Sequence, residues 1–130
     1  MSNPPQTNRQ LRVLITDDEP AIRHLLSEAL SNEGYEVREA LHGREVLDTL
    51  KVWQPNVIVL DLMMPIMDGW TFLMEKRRIE SANIPVIVIS AHRLVEGEAE
   101  SLGVTAVFPK PFDLDELLDC IARTTASSTP

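Results

Sequence analysis

The chain has 130 residues, 44% of them hydrophobic and 25% charged, which suits one ordinary globular domain with a real core. A net charge of −8 argues against non-specific nucleic-acid or anionic-membrane binding as its main task. A single cysteine excludes an internal disulfide, and no apolar run reaches the ~18 residues a membrane span needs, so the cytoplasm is the expected compartment.

Residues 1–10 are polar, carry two prolines and lack the apolar stretch of a signal peptide; they are expected to be a flexible arm. Arg12-Val13-Leu14-Ile15-Thr16 is an apolar strand running into Asp17-Asp18. Pro20 suits the first position of a helix, where its missing N–H costs nothing. Ile22, Leu25, Leu26, Ala29 and Leu30 follow at helical spacing, and Gly34 closes the segment. The second strand, from Glu36 to Ala40, is more polar and alternating, as at a sheet edge. A second helix is expected over 44–53, with Val46, Leu47 and Leu50 inward and Pro55 as its stop.

The third strand, Val57-Ile58-Val59-Leu60-Asp61, is four apolar residues ending in a carboxylate. Such an unbroken run reads as a strand buried on both faces, and its terminal carboxylate must emerge at the C-terminal edge of the sheet to escape desolvation. The third helix is expected from about Trp70 to Glu80, followed by an apolar fourth strand over 85–90. A weak acidic helix is expected over 94–102 with Gly97 inside it, at a cost of roughly 1 kcal/mol against Ala. A short fifth strand at 105–108 leads into Pro109-Lys110-Pro111, and Asp113 with Glu116 forms a capping box for a last helix striped by Leu114, Leu117, Leu118 and Ile121. The domain is expected over 11–124, with a flexible tail over 125–130.

Strands alternating with helices imply an α/β fold, a doubly wound five-stranded parallel sheet with helices on both faces. Strands one, three and four are apolar enough to be central, which agrees with order 2-1-3-4-5, flavodoxin-like, with its switch point between strands one and three. The strand ends then deliver Asp17 and Asp18, Asp61, Ser90 and Lys110 to one rim. An Asp-Asp pair alone is unremarkable among 20 acidic residues, but its coincidence with the other three groups at one sheet edge is not.

Crowded carboxylates beside one ammonium invite a hard divalent cation, and Mg²⁺ takes one or two carboxylates together with phosphate oxygens and waters. With the metal held by Asp17 and Asp18, a phosphoryl group can be accepted, neutralised by Lys110 and hydrogen-bonded by Ser90. Asp61 is then the nucleophile, forming an acyl phosphate.

These residues, with the segment Asp61-Leu62-Met63-Met64-Pro65-Ile66-Met67-Asp68-Gly69, Ser90-Ala91 and Lys110-Pro111-Phe112, resemble the receiver (response-regulator) domain of two-component signalling, in particular its single-domain chemotaxis-type members. The resemblance covers residues 11–126. It implies that Asp61 takes a phosphoryl group from a sensor histidine kinase or a histidine phosphotransfer protein. It implies Mg²⁺ held by Asp17, Asp18, Asp61 and the main-chain carbonyl of Met63, and a Lys110–Pro111 bond that is often cis. It further implies that the domain catalyses its own phosphorylation and dephosphorylation without being a classical enzyme. Met63 and His92, two residues past Asp61 and Ser90, stand where the family tunes the lifetime of the phosphoryl group.

Output in the family passes through the face made by the fourth helix, fifth strand and fifth helix. The chain departs from the pattern there, because Val107 occupies the position where an aromatic usually reports the state of the site, and neighbouring Phe108 points to the opposite face. No helix-turn-helix or catalytic segment follows the last helix, so output is expected through a downstream protein partner, with no direct nucleic-acid contact and no membrane insertion. The alternative is a non-phosphorylated interaction module on the same fold, to which Val107 lends weight. An aspartyl phosphatase would carry a second Asp two residues after Asp61, where this chain has Met63.

Overall fold

A computed structural model describes residues 10–79, 83–92, 94 and 97–127. Ten elements follow one another: β1 Arg12–Thr16, α1 Pro20–Asn32, β2 Glu36–Ala40, α2 Gly43–Leu50, β3 Val57–Asp61, α3 Gly69–Lys76, β4 Val86–Ser90, α4 Glu98–Leu102, β5 Ala106–Pro109 and α5 Leu114–Ser127. The strands pair in parallel in the order β2-β1-β3-β4-β5, as their relative polarity implied. β3 and β4 are buried at every position, whereas β2 exposes Arg38 and Glu39 at the edge.

Strand alternation divides the core in two. Leu14, Ile58, Leu60, Val86 and Val88 face one side, where α2 and α3 contribute Val46, Leu50, Phe72 and Leu73. Val13, Ile15, Val57, Val59, Ile87 and Ile89 face the other, covered by Leu26 and Leu30 of α1 and Leu117 and Ile121 of α5. Val107 joins the first side and Phe108 the second, as the two-residue period of a strand requires. Trp53 is buried in the first core, with the guanidinium groups of Arg12 and Arg38 over its ring.

Several boundaries differ from the sequence reading. α2 ends at Leu50 rather than at residue 53, because Lys51 and Val52 turn the chain so that Trp53 can enter the core. α3 ends at Lys76, short of Glu80, which lies outside the described residues. Gly97 is not inside α4 but caps it, with φ +85, and the helix shrinks to Glu98–Leu102. A left-handed residue cannot continue a right-handed helix, so the glycine that was expected to weaken the element instead begins it. β5 starts one residue later than expected.

The tail expected over 125–130 is helical through residue 127. Thr125 is buried, its Oγ1 donating to the Ile121 carbonyl at 2.9 Å and lying 3.3 Å from the Tyr35 hydroxyl. A Ser/Thr-rich composition suggested a loose end, but this internal contact carries the helix on. The arm expected over 1–10 lies, apart from exposed Gln10, outside the described residues. No helix among the described residues is long and apolar enough to cross a membrane.

Candidate functional site

The C-terminal edge of the sheet gathers its polar groups by the same alternation that built the two cores. Asp17 continues the series Val13, Ile15; Asp61 continues Val57, Val59; Lys110 continues Ala106, Phe108. All three therefore reach toward the α1/α5 side of the rim and meet there.

Asp17 is fully buried, and its N–H extends the sheet by donating to the Ala40 carbonyl at 3.3 Å. Its Oδ1 accepts the Glu19 N–H at 2.8 Å, while Arg23 donates to its carbonyl oxygen at 2.9 Å. Arg23 is held in turn by Glu39 at 3.0 Å. Asp61, 2% exposed, accepts the Met63 N–H on Oδ1 at 3.0 Å. Lys110 spans the gap, its Nζ lying 2.7 Å from Glu19 Oε1, 2.9 Å from Asp17 Oδ2 and 3.1 Å from Asp61 Oδ2. Its own N–H is anchored on the Ser90 carbonyl at 3.0 Å, and the Lys110–Pro111 peptide is cis.

The loop after Asp61 is folded tightly enough to hold that carboxylate still. Gly69 N–H donates to the Leu62 carbonyl and Gly43 N–H to the Met67 carbonyl, each at 3.0 Å. Only glycine fits at 69, because a Cβ there would stand 2.7 Å from Leu62 Cα. Asp68 caps α3 by accepting the Thr71 N–H at 2.8 Å. Leu62 and Met64 turn into the core, leaving Met63 half-exposed above the site and Ile66 82% exposed at φ +69.

Ser90 is buried, and its Oγ accepts the His92 N–H at 3.0 Å. By parity it belongs to the α2/α3 side, so it borders the cluster from the opposite flank to Lys110. His92 is exposed, its ring standing edge-on to Trp70 with centroids 5.1 Å apart.

The electrostatics follow from this crowding. Burial pushes the Asp61 carboxyl up to about 6; Asp17 adds to the rise, and the Met63 N–H and Lys110 oppose it. Burial disfavours the Lys110 charge, but the hydrogen bonds it donates to Glu19 and Asp17 and the charges of Asp17 and Asp61 outweigh it and hold the ammonium above the usual lysine range. Three carboxylates against one ammonium leave a net negative pocket.

One ligand oxygen from each of Asp17, Glu19 and Asp61 lies within 4.8 Å of the others. A cluster of hard oxygen donors with surplus negative charge fits Mg²⁺. The structure thus brings together Asp17, Asp61 and Lys110 as anticipated. It does not bring in Asp18, which is exposed and stands outside the cluster; Glu19, which the sequence reading passed over, takes part instead. The chain bends at Asp18, the Glu19 N–H turns back onto Asp17 Oδ1 at 2.8 Å, and the Glu19 carboxylate meets Lys110; adjacent acidic residues in a sequence do not announce such a turn.

The response regulator receiver domain family matches residues 13–122. The chain is 36% identical to sporulation initiation phosphotransferase F of Bacillus subtilis over 114 residues, covering 86% of this chain and 91% of that protein. It spans about half, 52%, of the response regulator MprA of Mycolicibacterium vanbaalenii, at 36% identity. Among solved structures, the receiver domain of Francisella response regulator 1452 superposes with a TM-score of 0.84 at 30% identity, covering 92% of this chain and 99% of that one. The response regulator TrrA of Thermotoga maritima, solved in complex with Mg²⁺ and BeF, gives 0.78 at 30% identity, covering 88% and 99%.

Proposed function

This chain belongs to the response regulator receiver domain family, and on that premise we propose that it is a phosphoacceptor switch whose Asp61 takes a phosphoryl group from a histidine kinase or histidine phosphotransfer protein. The observation that carries the assignment is the Lys110 ammonium bridging Asp61 and Asp17 at 3.1 and 2.9 Å, at the C-terminal edge of the central strand.

In this reading an Asp61 carboxylate oxygen forms the new P–O bond as the P–N bond of the donor breaks, and the protonated donor ring departs as neutral imidazole. The Met63 N–H fixes the carboxylate, and Lys110 and Ser90 supply a charge and a hydroxyl for the transferred oxygens. Asp17, Asp18, Asp61 and the Met63 carbonyl are the proposed metal ligands, with Glu19 at the same pocket. Bound Mg²⁺ would neutralise the charge that the phosphoryl oxygens bring. Met63 and His92 flank the route of attacking water and set how long the phosphoryl group lasts. A downstream protein partner is proposed to read the α4-β5-α5 face, in the cytoplasm.

Mixing the protein with acetyl phosphate and Mg²⁺ should add one phosphoryl group, detected by intact mass and absent in Asp61→Ala. Uptake that persists in Asp61→Ala would overturn the assignment. The second reading, an interaction module that works without phosphorylation, is favoured by Val107, which has neither ring nor hydroxyl to report on the site. It predicts that Asp61→Asn binds the partner as the native chain does, whatever the phosphorylation state.

A further inference from the structure

Val107 cannot act as the missing reporter. It is β-branched, stiff about χ1 and partly buried against the first core, with neither a ring nor a hydroxyl to swing between two positions. A different aromatic connects the site to α4. The Ser90 hydroxyl accepts the His92 N–H at 3.0 Å. The His92 ring stands at 84° to the Trp70 ring with centroids 5.1 Å apart, and Trp70 Nε1–H donates to Glu98 Oε2, the first residue of α4, at 3.3 Å. We propose that the chain of contacts Ser90–His92–Trp70–Glu98 carries the state of the Asp61 site to α4, with the Trp70 indole serving where the strand-borne aromatic is absent. The inference rests on the phosphoacceptor reading of Asp61.

Each link can transmit a displacement. A hydroxyl accepts and donates at once, so Ser90 can turn toward a phosphoryl oxygen while keeping the His92 N–H, and the backbone at 92 moves with it. The edge-to-face contact is directional, so a shift of His92 changes where the indole rests. Trp70 is anchored at its other end by the first turn of α3, directly after the Asp68 cap, and cannot simply follow.

The receiving element is built to yield. α4 has five residues, none buried, and lies between Gly97 at φ +85 and Gly103 at φ +72. So short a helix has little stability of its own, and its position is set by what it touches. Besides Trp70, Arg77 of the turn after α3 donates to the Ser101 carbonyl at 2.7 Å. Both contacts come from the segment that follows the Asp61 loop.

The test is nuclear magnetic resonance of the ¹⁵N-labelled chain titrated with beryllofluoride and Mg²⁺. The Trp70 indole N–H signal, distinguished from that of Trp53 by its loss in Trp70→Phe, should shift in step with the amides of 98–103. In Trp70→Phe and in Glu98→Ala, beryllofluoride should still load at Asp61, while the 98–103 shifts fall by at least half. Undiminished 98–103 shifts in both variants, or an indole signal that stays still while those amides move, would overturn the relay. Failure of the native chain to load at all would instead remove the phosphoacceptor reading, and the relay with it.

Discussion

The Lys110 ammonium donates to the Glu19 carboxylate at 2.7 Å, across 91 residues of sequence. This is the shortest of the three contacts that Lys110 makes with carboxylates, so the cation proposed to pair with the transferred phosphoryl oxygens is already shared.

An incoming anion must draw Lys110 away from Glu19 and overcome the negative potential there. Glu19→Gln should therefore tighten beryllofluoride binding at saturating Mg²⁺ by roughly 2–5-fold. The effect stays small because the Glu19 side chain is 58% exposed and screened. Calorimetric titration of both forms checks it. Weaker binding in the variant would mean that Glu19 supports the metal more than it restrains Lys110.

The buried Asp61 carboxyl makes a second prediction, for protein kept in a chelator. Burial raises its folded-state value from 3.8 to about 6. Between those values the folded state holds more protons than the unfolded one, so this group lowers stability as pH rises from about 4 to 6 and the loss is complete above that. Asp61→Asn removes the cost. Its stability advantage in urea unfolding should be absent near pH 4, grow through pH 6 and level off at roughly 1–3 kcal/mol. An advantage independent of pH would point to a cause other than this carboxylate.

Gly69→Ala should cost roughly 2 kcal/mol or more, because the added carbon meets the Leu62 backbone and side chain at 2.7 and 2.8 Å and neither can retreat from the core. The displaced loop carries the Met63 N–H that holds Asp61, so phosphoryl uptake should slow as well. Thermal unfolding and uptake measured on the same preparation test both effects.

Ile66 holds a left-handed backbone conformation that a β-branched residue resists, and at 82% exposure its side chain returns little in packing. Ile66→Asn should raise the urea midpoint by an amount corresponding to about 1 kcal/mol, with the denaturant slope unchanged. A loss of stability would show that the Ile66 side chain packs more productively than its exposure suggests.

The sequence by itself determined the architecture, since hydrophobic period and strand polarity are local signals that survive in one dimension. The bounds of β1, β2 and β3, the strand order and the convergence of Asp17, Asp61 and Lys110 all follow from the two-residue alternation and from apolar runs too continuous for an edge. Tertiary structure decided what depends on partners far along the chain. The end of α5 was settled by Tyr35 reaching Thr125, and the seat of α4 by Trp70 and Arg77 reaching Glu98 and Ser101. Glu19 rather than Asp18 joined the cluster because the chain bends at Asp18 and Lys110, 91 residues away, meets the Glu19 carboxylate at 2.7 Å. Composition cannot distinguish adjacent carboxylates; the direction in which each side chain leaves the backbone does.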